Sequence, residues 1–210
     1  MSNLANVHAI IPLALLEAIR NLDTPLNDGL PAELADETFT KRLGLSSTVA
    51  QQIERYRDMA EKHVRIGEAE VVQVFRLVGR RQDATLVYAD AGRRAARYGA
   101  RTRGGMPSAI WRIFPGGPQR RAGIRAAARV LRRIFDLTLT TGPGPISLRL
   151  SESLATRAEF AGNGCYFYSS LVAELLRVTS GFEGSMIHER CRGRGDDGCL
   201  WRAADADSQW

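Results

Sequence analysis

All three cysteines of the chain fall in its last quarter, in the frame Cys165-x25-Cys191-x7-Cys199, and His188 and Glu189 stand just before the second of them. Thiolate sulfur is a soft ligand. Three such groups with one imidazole or carboxylate complete the tetrahedron that a zinc ion takes. A site made of four protein ligands keeps no open position for substrate, so the pattern points to a structural metal and not to a catalytic one. Taken singly, each cysteine is at home as a small buried apolar residue. The clustering, the adjacent imidazole and the Gly-rich run between Cys191 and Cys199 are what argue for a metal.

Those side chains meet only if the chain around them folds in a particular way. After Asp136 the hydrophobic pattern changes from helical to alternating. Leu137 and Leu139 read as one strand, Gly142-Pro143-Gly144-Pro145 as a turn, and Ile146, Leu148 and Leu150 as the returning strand. Tyr166 to Val178 reads as a helix with Cys165 at its N-terminus. Phe182 to Arg192 and Leu200 to Ala203 read as a second hairpin closed by Gly193 to Gly198. In that hairpin Cys191 and Cys199 stand near the two stems, and the helix brings Cys165 over them. Regular strand alternation puts Glu189 on the face of Cys191 and His188 on the opposite face; a bulge reverses this. Spacing alone leaves the fourth ligand open between the two.

Upstream the pattern is helical. Pro12 suits a first helical turn, and the N-terminal stretch reads as an amphipathic helix with Leu13, Leu16, Ile19 and Leu22 on one face. Leu22 to Gly29 reads as a loop and Ala32 to Leu43 as a short helix. Ser46 or Ser47 caps a helix to about Val64, with Val49, Ile53, Tyr56 and Met59 as its buried stripe. Glu68 to Val78 follows. Asp83 is the expected cap of a helix over Ala84 to about Gly99, in which Leu86, Ala89, Ala96 and Tyr98 pack. A further helix runs from Pro118 to about Phe135, with Ile124, Ala128, Leu131 and Phe135 on one face and Arg121, Arg125, Arg129 and Arg132 on another. The expected class is α+β, with N-terminal helices packed on a four-stranded antiparallel sheet. The expected division is a helical extension over 1–66, a binding domain over 67–204 and a tail over 205–210.

Gly164-Cys165-Tyr166, His188-Glu189-Arg190-Cys191, Gly195 and Cys199-Leu200-Trp201 resemble the 4-vinyl reductase domain family, and Ala91-Gly92-Arg93 extends the resemblance upstream. That family is named for a bacteriochlorophyll-biosynthesis protein and includes sensory domains of phenol-responsive transcription activators. The resemblance implies a fold like that of trafficking-complex subunits and of a haem-nitric-oxide-associated domain. It also implies frequent homodimers and a zinc site bracing a pocket for a hydrophobic or aromatic small molecule. The family's glutamate three residues before the second cysteine is replaced here by His188. The ligand set adopted is therefore Cys165, His188, Cys191 and Cys199, with Glu189 in reserve. Length and the helical segment Tyr88 to Leu131 resemble the pigment-pathway branch, whose ligand would be a tetrapyrrole precursor carried to, or presented to, a pathway enzyme. The alternatives are the 4-vinyl reductase enzyme itself, acting on divinyl chlorophyllide, and a ligand-sensing adaptor.

Composition narrows the other classes. The 210 residues are 44% hydrophobic, with a net charge of +6 that is almost all arginine. No stretch reaches the ~20 apolar residues of a membrane span, and three cysteines cannot all pair within one chain; both fit a cytoplasmic protein. The three histidines offer no Ser-His-Asp set, the paired glycines lack the lysine of a phosphate loop, and no nicotinamide or flavin fingerprint is present, which weighs against a self-sufficient reductase. Leu43 to Gln52 has a helix-turn-helix flavour, but Glu54, Asp58 and Glu61 on the following helix repel phosphate, so nucleic acid is not the expected partner. Met106, Trp111, Phe114, Phe135, Tyr166 and Tyr168, with Phe167, are the candidate pocket residues, each also an ordinary core candidate. Trp111 leads them because Gly and Pro bound its segment.

Overall fold

The protein is described from a computed structural model, which covers residues 6–24, 46–102, 117–158 and 162–204. The expected helix over 32–43, the Gly/Pro-bounded segment with Met106, Trp111 and Phe114, and the tail over 205–210 lie outside the described residues.

The helices are α1 (Ile10–Asp23), α2 (Ser47–Glu61), α3 (Glu68–Gly79), α4 (Ala84–Arg101), α5 (Gly117–Ile134), α6 (Leu154–Arg157) and α7 (Cys165–Ser180). The strands are β1 (Asn6–His8), β2 (Arg65–Gly67), β3 (Leu139–Thr140), β4 (Ser147–Leu150), β5 (Ser185–Arg190) and β6 (Cys199–Ala204). The expected α+β architecture is present. The last four strands form one antiparallel sheet in the order β3-β4-β6-β5, and α7 joins its two hairpins.

Local chemistry accounts for several boundaries. The Ser46 hydroxyl accepts from the Val49 amide, 3.3 Å away, and starts α2. Asp136 adopts φ 55°, and the Leu137 amide donates back to the Leu131 carbonyl, a left-handed closure that stops α5 before the sheet begins. The short α6 carries a reciprocal capping box between Ser153 and Thr156. Two expectations need correction. Asp83 makes no side-chain cap to α4, because its carboxylate is taken by the Arg81 guanidinium at 2.8 Å. Nor is α1 amphipathic: Ile10 through Ile19 are buried on every side, whereas Leu22 stands 36% exposed. A helix apolar all round belongs in the middle of a core, and α1 packs there against α2, α3 and α4. Leu86, read as a packing residue, is 61% exposed.

Helix α4 lies along α7 at a distance only glycine permits. A Cβ on Gly92 would sit 2.3 Å from the Phe167 carbonyl oxygen. Across the sheet, Leu139, Leu148, Trp201 and His188 pair in one row and so share a face. Leu139, Leu148 and Trp201 in that row are buried, and they join α1, α4 and α7 in one continuous core. A two-stranded ribbon, which the sequence reading did not anticipate, pairs β1, just before α1, with β2, just before α3. Among the described residues no helix is long and apolar enough to cross a membrane.

Candidate metal centre

Cys165 is the first residue of α7, Cys199 the first of β6, and Cys191 follows β5 directly. The turn between the last two is held by its own hydrogen bonds. The Cys191 carbonyl accepts from the Arg194 and Asp196 amides, and the Asp196 carboxylate accepts from the Cys191 amide at 2.6 Å. Gly162, at φ +84°, lets the chain before α7 pass close by; a Cβ there would lie 2.8 Å from the Cys191 sulfur.

The fourth member is decided by a strand irregularity. His188 pairs with Trp201, but the next pair is Arg190 with Leu200, so Glu189 is the extra residue of a β-bulge. The bulge shifts the alternation by one, leaving His188 and Cys191 on the same face as Cys199. The donor atoms of Cys165, His188, Cys191 and Cys199 all lie within 4.8 Å of one another. Glu189 turns aside and pairs with Arg202 at 3.2 Å.

The donor set fits a tetrahedral thiophilic cation. The Cys165 sulfur lies 3.9 Å from each of the other two; sulfurs about 2.3 Å from a shared tetrahedral centre stand roughly 3.8 Å apart. All three cysteines are essentially inaccessible to solvent. Among the described residues His188 Nε2 is buried with no hydrogen-bond partner, a condition that a metal bond relieves and that bare burial makes costly. The ring is fixed by stacking on Trp201, with centroids 4.7 Å apart and planes 11° from parallel. The Cys199 thiol is held far below the usual thiol range, first by its hydrogen bond with Cys165 and then by His188, against the effect of burial. Cys165, the partner in that bond and buried beside two sulfurs, is pushed far up. A cation at the centre of the set would favour ionisation of all three thiols.

A cavity of about 260 Å³ opens beside the cluster. Phe167, Tyr168 and Leu171, on the two turns of α7 after Cys165, form one wall; Leu150, which pairs with Cys199, and Phe135 are also in its lining. Tyr168 ties the two places together. Its hydroxyl accepts from the Leu154 amide at 3.2 Å, its ring meets Trp201 at 5.4 Å, and burial raises its phenol well above the ordinary range. Of the expected pocket residues, Phe135 and Tyr168 line the cavity, as does Phe167. Tyr166 does not: it is 52% exposed on the outer side of α7. Met106, Trp111 and Phe114 are outside the described residues. The sequence reading missed the contribution of Asn6, Val7 and His8, which close the cavity from β1; three residues holding one aliphatic side chain give too short a pattern to read. It also missed Ser153 and Leu154, although the Ser153-x-x-Thr156 box was a legible signal.

His8 is 4% exposed. Its Nδ1 accepts from the Ile10 amide at 3.2 Å, and among the described residues its Nε2 has no hydrogen-bond partner. Burial, with His63 and Arg65 nearby, lowers its pKa to about 4. His63 is exposed at the end of α2, in a left-handed conformation. No family model, curated protein or solved structure matches the chain.

Proposed function

We propose that this chain is a binding protein for a compact hydrophobic or aromatic small molecule, with a structural zinc ion bracing the binding cavity. One observation carries the reading. Three sulfurs and an imidazole converge at the first residue of α7, and the next two turns of that helix wall a cavity whose lining is mainly but not wholly apolar. On this reading Cys165, His188, Cys191 and Cys199 hold the ion, whose coordination joins the β5–β6 hairpin to α7 and so fixes the position of Phe167, Tyr168 and Leu171. With its four positions taken by protein the ion has no place for substrate, which favours binding over catalysis. The resemblance to the 4-vinyl reductase domain family supports the same reading and the proposal of a homodimer; the cytoplasmic site of action is proposed from the three cysteines, which cannot all pair within one chain.

Size bears on the ligand. About 260 Å³ is slightly below the ~300–1,000 Å³ of cavities that enclose drug-sized molecules. A one- or two-ring aromatic compound is enclosed by the described lining, whereas a tetrapyrrole macrocycle would project from it. The wall of apolar side chains is bordered by Glu68, Glu152 and Arg157, with Arg157 paired to both carboxylates, so a neutral ligand suits it better than an anion.

Native mass spectrometry and titration of tryptophan emission with naphthol test the reading together. The expected result is one zinc per chain and saturable quenching, because Trp201 lies against Tyr168 in the wall. Val7→Trp, which fills the cavity from β1, is expected to abolish saturation while retaining zinc. A flat titration of the zinc-loaded protein, with naphthol and with divinyl chlorophyllide alike, rejects the binding role.

A further inference from the structure

Helix α5 carries six arginines and no acidic residue in its 18 positions. Arg121, Arg125, Arg129, Arg132 and Arg133 are exposed. Among the described residues none of these five is paired with a carboxylate; the nearest thing to a partner is the Arg125 carbonyl, 3.4 Å from Arg129 Nε. Several arginines elsewhere are matched: Arg57 with Glu17 and Glu54, Arg81 with Asp23 and Asp83, Arg157 with Glu68 and Glu152. From Arg121 to Arg133 the row spans about 18 Å at helical rise. The opposite side of α5 is committed to the core through Ala127, Val130, Leu131 and Ile134, and a Cβ on Gly123 would collide with the Thr179 carbonyl of α7 at 2.2 Å. The helix therefore cannot roll or insert; what it offers outward is charge.

We propose that this arginine face docks the protein on an anionic phospholipid surface. Charge complementarity requires a polyanion. A lipid headgroup layer fits a convex, rigid row better than nucleic acid does. The residues of α5 other than arginine are Gly, Pro, Gln, Ala, Ile, Val and Leu, with no aromatic ring for bases to stack on, and a single helix crest is not the groove that tracks a strand. Docking there also follows from the binding role proposed above, on which this inference rests: a hydrophobic cargo resides in bilayers, so its carrier collects or returns it at their surface. Each arginine near an anionic surface strengthens adsorption about fivefold, and the attraction fades over a screening length of about 10 Å in ordinary salt.

The test is flotation of the full chain with phosphatidylcholine vesicles, with and without phosphatidylglycerol, in the absence of small molecule. The protein is expected to float only with phosphatidylglycerol vesicles and to be released by high salt. The triple variant Arg125→Gln, Arg129→Gln, Arg132→Gln is expected to partition roughly 100-fold more weakly. It changes only exposed side chains, and it is expected to keep the zinc content and naphthol titration of the parent, so the docking and binding proposals fail separately. Absence of flotation, equal flotation with pure phosphatidylcholine, or undiminished flotation of the variant overturns the proposal. So does displacement of the protein from vesicles by duplex DNA in a complex that survives high salt, which would assign the face to nucleic acid.

Discussion

Two buried polar clusters fasten helices in this molecule, and they are satisfied in different ways. In the N-terminal half, Glu17 of α1 is buried, yet each of its oxygens has a partner. Oε1 accepts from Arg57 of α2 at 2.9 Å and Oε2 from the Tyr98 hydroxyl of α4 at 2.7 Å, with Arg94 at 4.0 Å. Three helices are joined through one carboxylate whose two oxygens each have a hydrogen-bond partner. In the C-terminal half the sulfurs of Cys165, Cys191 and Cys199 face one another, and among the described residues the buried Nε2 of His188 has no hydrogen-bond partner. The first cluster is complete as protein. The second has the composition and spacing of a set completed by a cation. Buried polar groups that satisfy one another account for stability; buried groups that converge without satisfying one another point to something the site binds.

The largest expected effect is at the second cluster. Cys191→Ser should reduce bound zinc to near zero and lower the melting temperature by roughly 10 °C or more, since structural zinc contributes folding free energy directly. A chelator should do the same to the parent and little further to the variant. Unchanged metal content in Cys191→Ser removes the assignment.

His8 is a useful intermediate case, a buried imidazole whose Nδ1 accepts from the Ile10 amide while its Nε2 has no partner among the described residues. Its pKa falls from 6.5 to about 4 in the folded chain, mainly through burial. Between those values the unfolded chain holds the proton and the folded one does not. Stability is therefore full above pH 6.5 and lost as pH falls toward 4, by up to roughly 3 kcal/mol. Denaturant titrations across that range should show a shallower pH slope in His8→Gln; an identical slope would mean His8 does not stay neutral in the fold.

Removing the charge of the first cluster is milder. Glu17→Gln should cost about 1–3 kcal/mol, because Arg57 and Arg94 are exposed enough to recover water, and zinc content should not move. A variant that also lost zinc would merge the two clusters into one cooperative unit and spoil the contrast. The smallest effect belongs to Glu189→Ala. Its exposed pair with Arg202 is worth under about 1 kcal/mol, and metal stoichiometry should be unchanged. Loss of zinc there would transfer the fourth ligand from His188 to Glu189.

Much of the fold was legible because it is written in local patterns. The helical stripe of Val49, Ile53 and Tyr56, the alternation of Leu148 and Leu150 and the Gly/Pro turn between β3 and β4 each follow from the chain's own period. What escaped was short or depended on competition. The β1–β2 ribbon has three residues a side. Asp83 was read as a cap because nothing local shows that Arg81 takes its carboxylate. The apolar positions of α1 fit a one-sided helix as well as the all-round burial that α2, α3 and α4 impose on it.

The candidate site divides in the same way. By itself the sequence restricted the ligand types, since three thiols with an imidazole and a carboxylate beside them in the last quarter of the chain limit the chemistry whatever the fold. Only the tertiary structure decided which neighbour completes the set. A period of two places Glu189 beside Cys191, and the one-residue bulge against β6 exchanges it for His188. Bulges arise from how two strands accommodate each other, a property of the pair that neither strand carries in its own residues.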